Sequence, residues 1–303
     1  MTSCWTNGWL FWFAMAIVSA RSVTGQDAVD TVWLQPTRST AEQRSWYPGA
    51  ITQLKGEIHH FDAKALRITT LDESTETAVA SHRVLWIELG TMSDNEAAVT
   101  GLLDRRERLD SLRPLEAALR DDLPRWRKQW LMLRTANSMW QVSRSPLALS
   151  LCRVADPPPL FLAWFPVAWT RLDPEPRATD LNQQKLGTMT AEMQLVSISW
   201  QLRSLGGERA LAMIDRLTQD ASSVEVKQLA EVLRWRLATP REVIANADKW
   251  QAHVDALPMV LQVGPTLTLI EKFEAAGLAD RAERLKLSLK LTPPFPHPDL
   301  QRP

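Results

Sequence analysis

Three of the five histidines in the chain, His59, His60 and His82, lie close together in sequence. Imidazoles from two paired strands can share a metal ion. Successive strand residues point to opposite faces, however, so His59 and His60 do not both enter one such site. No cysteine accompanies them and the nearby carboxylates lack ligand spacing, so they read as surface histidines and no metal is expected. Of the two cysteines, Cys152 ends the apolar run from Leu147 and reads as a small buried hydrophobe. Trp126, Trp130, Leu133, Asn137 and Trp140 follow one another at intervals of four, three, four and three, which is one stripe of a helix. Arg125, Arg127, Lys128 and Arg134 flank that stripe. Tryptophans among basic residues can meet nucleic acid or membrane; a core face beside a solvated one is the preferred reading. There is no Gly-x-Ser-x-Gly, His-Glu-x-x-His, Walker-type loop, Cys-x-x-Cys or dinucleotide fingerprint. Carboxylates brought together by folding, as in glycosidases, are the catalytic chemistry left open. No catalytic residue and no cofactor is assigned.

Composition narrows the classes further. Thirty-five Lys and Arg balance 35 Asp and Glu, and zero net charge argues against a nucleic-acid protein. With 303 residues, 45% of them hydrophobic, the chain can bury a core without disulfides and suggests about two domains. Residues 1–20 carry no charged side chain, and Leu10 to Val18 is unbroken apolar sequence. Val18 and Ala20 are small residues placed as at a signal-peptidase site. The reading is a secretory signal cleaved after Ala20, and hence a periplasmic or secreted protein. An uncleaved membrane anchor is the alternative, because Met1 to Gly8 holds only the amino-terminal charge.

The elements that would position these residues change texture along the chain. From Ile51 to Leu89 the sequence alternates as half-buried strands do, with Leu66 and Ile68 in one run and Val84 and Trp86 in another. Four short strands with polar turns are expected. The stretch Leu54 to Leu66, with Gly56 at a strand bend and Asp62 closing the next turn, resembles the first motif of Sm-like and SH3-like barrels. The resemblance covers under 20 residues and implies a small bent antiparallel β-barrel. It implies no RNA site: Leu66 stands where the Sm-like proteins place their RNA-binding Asn, and Lys64 where they place an aromatic or His.

From Asp94 onward the period is near 3.6. Helices are expected from Asp94 to about Asp110, after Pro114, and after Pro124. Asp156 to Pro159 then interrupts the pattern, and Leu160 to Trp169 is the most hydrophobic stretch beyond the leader. With Pro159 and Pro166 it cannot be one regular helix. Burial is its default reading, yet Phe161, Trp164, Phe165 and Trp169 are also the candidate partner-binding residues, should this stretch be offered as an apolar patch. Beyond Asp180 the stripes become regular. Leu186, Met189, Met193, Val196 and Trp200 form one; Ala210, Ile214, Leu217 and Ala221 the next; Val226, Leu229, Leu233 and Leu237 a third. Thr239, Pro240 and Glu242 make a capping box, followed by Val243, Ala247, Trp250, Val254 and Leu257. Gly264-Pro265 opens a helix ending at Gly277, and Leu278, Ala282, Leu285 and Leu289 build the last.

Turns near 206, 239 and 277 are 33 and 38 residues apart, a period found in helical-hairpin solenoids. The segments Leu205 to Ala210 and Ala276 to Ala282 resemble the Gly-to-Ala turn of tetratricopeptide (TPR) repeats, the first one residue short. The usual aromatic near the turn and the terminal Pro are missing. The fold expected is therefore α+β, mostly α: a small antiparallel β-barrel followed by an α-helical-hairpin, TPR-like solenoid of an exported bacterial kind. The division is 1–20 signal peptide, 21–92 barrel, 93–292 helical repeats with a break near 156–180, and 293–303 a C-terminal tail. Such a surface implies a non-enzymatic scaffold or adaptor for a protein or peptide partner in the cell envelope, with no nucleic acid. The alternative is a cell-envelope polysaccharide hydrolase using paired carboxylates, recognisable by two acids roughly 5 to 9 Å apart.

Overall fold

The structure is a computed structural model that describes residues 29–35, 51–72, 75–174, 176, 189–204, 207–290 and 295–300. The signal segment with its cleavage point, Leu186, the turn at Leu205 and Gly206, and Pro293-Pro294 lie outside the described residues. A small antiparallel sheet comes first and helices follow, an α+β fold that is mostly α.

Five strands form the sheet: β1 (Asp30–Leu34), β2 (Thr52–Phe61), β3 (Ala65–Thr70), β4 (Glu76–Ala80) and β5 (Val84–Glu88). The spatial order is β4-β3-β2-β1-β5, all antiparallel. Two expectations change here. β1 is an additional strand, and it inserts between β2 and β5, so the runs carrying His59, His60 and His82 are not neighbours. The sheet is also open, with β4 and β5 at its edges, rather than closed as a barrel. Its inner face, with Val32, Ile58, Leu66, Ile68, Val79 and Ile87 buried, is completed by helical aromatics instead of by its own edges. Gly56 is obligatory: a Cβ there would lie 2.0 Å from the carbonyl oxygen of Thr69, so the strands approach too closely for any side chain. Asp62 closes the β2–β3 turn, its Oδ1 accepting from the backbone N–H of Lys64 at 2.7 Å and of Ala65 at 2.9 Å.

Eleven helices lie among the described residues. The first five are α1 (Asp94–Asp104), α2 (Leu112–Arg120), α3 (Arg125–Gln141), α4 (Ser145–Leu151) and the single turn α5 (Pro159–Leu162). The other six are α6 (Ala191–Gln201), α7 (Gly207–Asp220), α8 (Val224–Trp235), α9 (Pro240–Ala256), α10 (Val263–Ala275) and α11 (Ala279–Lys290). Local signals account for most boundaries. Ser93, Thr190, Ser223 and Thr239 each accept a backbone N–H at a helix start, and Glu242 completes the capping box at Thr239. Gly277, at φ +76°, ends α10, with Leu278 N–H donating to the Phe273 carbonyl in the Schellman manner.

The later helices fall into two kinds. α6 and α10 are buried on nearly every side, while α7, α9 and α11 bury single stripes: Ala210, Ile214 and Leu217; Val243, Ala247, Trp250 and Val254; Ala282 and Leu285. α8 packs on both α6 and α10, so these three make an inner row, and α7 and α11 pack on its outer side. This is what an all-round apolar helix and a one-striped helix respectively require.

One core runs through sheet and helices alike; Val32, Ile68, Trp130, Phe161, Leu229 and Phe273 all belong to it. The sheet therefore shares its core with most of the helices, while α1 and α2 close a smaller cluster of their own with Leu131 of α3. Residues 295–300 do not trail away as a tail. Phe295 packs edge-on against Trp33 of β1 at 5.1 Å, and His297 Nε2 donates to the Val260 carbonyl at 3.0 Å. Gln35 Oε1 accepts from the Met259 N–H at 3.0 Å, so the sheet and the α9–α10 turn are tied directly.

Candidate functional site

A register shift in β2 between Ile58 and His60 leaves both histidines exposed, because a bulge breaks the alternation that would have sent one inward. His59 Nε2 shares a hydrogen bond with Thr69 Oγ1 at 2.8 Å, and His60 Nε2 donates to Asp62 Oδ2 at 2.9 Å. His82 sits apart in the turn Ser81–Arg83. No group of three potential metal ligands occurs among the described residues. Cys152 is buried, and burial alone pushes its thiol well above the usual range. The basic residues beside the Trp stripe are partly drawn inward: Arg127 pairs with the fully buried Glu96, and Arg134 pairs with Asp104 at 2.7 Å while lying over the Trp164 ring.

All four candidate partner-binding side chains are interior. Phe161, Trp164, Phe165 and Trp169 are at most 6% exposed. Phe161 and Trp164 join a cluster with Phe61 of β2, Trp86 of β5 and Trp130 of α3, at centroid distances of 5.1 to 6.3 Å. As the molecule is folded, this stretch is the joint between sheet and helices, because an apolar run of this size is stabilised more by burial than by waiting for a partner.

After α5 the chain runs irregularly through the helical array, and its backbone is satisfied by side chains. Trp200 Nε1 donates to the Pro166 carbonyl at 2.7 Å, and Ser199 Oγ accepts from Ala168 N–H at 3.0 Å. Arg236 donates to the carbonyls of Ala168 (2.6 Å), Ser199 (3.1 Å) and Thr170 (3.3 Å). Thr268 Oγ1 donates to the Trp169 carbonyl at 2.9 Å, and Asp173 accepts the N–H groups of Trp169 and Thr170. The indole of Trp169 fits because residue 264 is Gly; a Cβ there would fall 2.1 Å from Trp169 Nε1. The inner row of helices thus already holds an extended segment, and the segment is its own.

An open groove remains at the C-terminal end. Its volume is about 420 Å³, and its walls come from α9 and α11 over α10 and the preceding turn, a size within the ~300–1,000 Å³ of ordinary ligand sites. α9 contributes Asp248, Gln251 and Asp255; α11 contributes Arg281, Arg284 and Ser288; Val254, Met259, Val263, Leu285 and Leu289 supply the apolar lining. One end is bridged by Arg281 Nη1 donating to Asp248 Oδ1 at 2.7 Å. Gln262, only 6% exposed, lines the groove. Its Nε2 donates to the carbonyls of Leu257 at 2.9 Å and Asp255 at 3.5 Å, while its buried Oε1 accepts nothing. The sequence pattern shows these charges only as the solvated faces of two helices. A signal existed in the seven-residue spacing of Asp248 and Asp255 on one helix face, but no local rule says which other helix faces it. Compared with known proteins, the chain matches no family model, no curated protein and no solved structure. Among the described residues no helix is long and apolar enough to cross a membrane.

Asp248 and Asp255 are separated by about 10.5 Å along the helix axis at 1.5 Å per residue, beyond the spacing of paired catalytic carboxylates, and Asp248 is engaged by Arg281. Glu192 is more perturbed. Burial chiefly, and the charge of Asp156 secondarily, raise its pKa against hydrogen bonds from its own N–H and from Thr190. A carboxyl with a raised folded pKa holds its proton more tightly folded than unfolded. Stability therefore falls as pH rises from the unfolded pKa through the folded one, and the deficit persists above. Glu192→Gln is accordingly expected to raise the melting temperature at about pH 8 and leave it unchanged at about pH 4, where the native group is already protonated. Thermal melts at both values check this, and equal melting temperatures at the higher pH would remove the premise.

Proposed function

We propose that the protein is an exported scaffold or adaptor that holds a segment of a partner protein of the cell envelope in the groove between α9 and α11. In this reading the paired helices are a TPR-like array. Its central channel is filled by residues 166–171, and its C-terminal groove is left for the partner. The observation that supports it is the groove itself, about 420 Å³ with an acidic wall, a basic wall and an apolar floor, in a chain without a recognisable catalytic motif. Helical arrays commonly use such concave surfaces for peptides.

The test compares envelope proteins retained by the immobilised chain with those retained by the doubly reversed variant Asp255→Arg, Arg284→Glu. Both positions are exposed, so the fold is expected to persist, as circular dichroism would verify. A defined set of proteins held by the native chain and reduced at least about tenfold by the variant, roughly 1.4 kcal/mol, supports the reading. Identical retention by both, or none by either, overturns it.

A further inference from the structure

We infer that the open edge of β4 is an interface, pairing antiparallel with β4 of a second copy of this chain about a two-fold axis at Ala78 and joining the two sheets into one. The inference is independent of the α9–α11 groove and starts from the hydrogen bonding of β3 with β4. Thr70 N–H donates to the Thr75 carbonyl at 3.2 Å, and Ser81 N–H to the Lys64 carbonyl at 3.0 Å. Between these two bonds the strands run in continuous register, from Thr69 opposite Glu76 to Ala65 opposite Ala80. Antiparallel pairs alternate between bonded and unbonded. Thr77 and Val79 therefore bond to β3, while Glu76, Ala78 and Ala80 turn their backbone groups outward. All three are exposed, and the outward N–H and C=O of Ala78 meet no partner among the described residues.

An open edge is a template for another strand, and proteins blunt it with Lys, Pro, a bulge or a cover. The opposite edge, β5, packs under α5 and the turn Met259–Leu261. β4 carries no device of this kind in its sequence. Its five residues, Glu-Thr-Ala-Val-Ala, hold no Lys or Pro, and its register is unshifted where β2–β3 and β1–β5 each shift once. Its one charge, Glu76, is paired with Arg67 of β3 at 3.6 Å. The strand is also complementary to itself. With Ala78 opposite Ala78, these residues exchange two hydrogen bonds, and each Ala80 N–H donates to the Glu76 carbonyl of the other copy. The two Glu76 residues then lie four residues apart along the pair, about 14 Å at ~3.4 Å per residue, beyond the ~8 Å screening length. The two Arg67 residues are three strand spacings apart, again about 14 Å. Setting Glu76 opposite Glu76 would instead oppose like charges directly. Setting Ala80 opposite Ala80 would draw in the turn Ser81–Arg83, where the strand has ended. The register centred on Ala78 thus uses every outward residue and keeps like charges apart. One five-residue strand is a small contact, below the ~1,000 Å² of stable interfaces, so the dimer is reversible, with a Kd of about 100 µM.

Sedimentation equilibrium of the full chain from about 5 to 500 µM is expected to show monomer and dimer. Ala78→Pro removes an outward donor and leaves the β3 ladder intact, because that N–H does not face β3; it should weaken dimerisation at least about tenfold. Cysteines read the register independently, with Cys4→Ser as the background and Cys152 buried. In oxidised glutathione Ala78→Cys should cross-link to its copy, since the Cα atoms of a bonded pair are about 5.5 Å apart. Ala80→Cys, about 14 Å from its copy, should not. Circular dichroism verifies that each variant is folded. A monomer at every concentration, an unchanged equilibrium in Ala78→Pro, or Ala80→Cys cross-linking as fast as Ala78→Cys overturns the inference. If the chain stays monomeric while Ala78→Pro lowers retention of envelope proteins, the edge takes a strand of another protein and the second copy is ruled out. None of these outcomes touches the groove, which is tested through Asp255 and Arg284.

Discussion

Trp130→Ala is expected to destabilise the protein by about 3–5 kcal/mol, lowering its melting temperature by roughly 10 °C, with sheet and helices unfolding in one transition. Trp130 projects from α3 into the junction, where its ring stacks on Phe161 at 5.2 Å and meets Trp86 of β5 at 5.6 Å and Trp164 at 5.1 Å edge-on. Removing it empties an indole-sized space between rigid elements, and the surrounding rings are too well packed to collapse into it. The same cavity lies against both the sheet and the helices, because one core serves both. Far-ultraviolet and near-ultraviolet circular dichroism melts should coincide in the native chain and shift together in the variant. A sheet that melts separately, or a variant as stable as the native chain, would contradict the shared core.

Arg236→Met should have a comparable effect with a local signature. Its guanidinium serves three carbonyls, those of Ala168, Ser199 and Thr170, and Ala168 and Ser199 are 2–3% exposed. Methionine keeps much of the volume and removes this donor from all three carbonyls, at about 1–3 kcal/mol for each one that stays buried and unmet. The segment through Trp169 is expected to open more often. It leads to Arg171 and to Leu172, which is 95% exposed, so trypsin cleavage after Arg171 reports the opening. At least a tenfold faster cut under native conditions is expected, equivalent to about 1.4 kcal/mol of local stability. Arg236→Lys, retaining charge and some donors, should lie between. An unchanged cleavage rate would show that the helices do not hold the segment through this residue.

Much of the helical part was legible along the chain. The stripes of α3, α7, α8, α9 and α11 are the buried faces, and the capping box at Thr239 begins a helix where expected, because period and capping are properties of neighbouring residues. Where the reading overran, the stop had no sequence mark. α1 ends at Asp104 and not near Asp110, since Arg106 turns into the left-handed region at φ 63°, a role usually given to Gly. β1 was missed because five residues with a single alternation carry too little pattern, and its place in the sheet depends on partners from residues 52–56 and 84–88.

The candidate site was less legible than the fold. Phe161, Trp164, Phe165 and Trp169 announced themselves by hydrophobicity, but hydrophobicity does not distinguish a core from a docking patch; only their packing decides that they are interior, Phe161 and Trp164 in the aromatic cluster and Trp169 against Gly264. Asp248, Asp255, Gln262, Arg281 and Arg284 looked like ordinary solvated residues. The groove exists because α9 and α11 flank α10.

The amino-acid sequence by itself determined where helices begin, which of their faces turn inward, the strand texture of residues 51–89 and the absence of familiar catalytic motifs, all of which follow from interactions within a few residues. The tertiary structure alone decided that the sheet stays open, that β1 divides the histidine-bearing strands, that the apolar stretch seals the junction, and that α9 and α11 face each other across a groove. Those outcomes depend on which distant surfaces meet, and burial is non-directional: it rewards covering an apolar face without specifying by what.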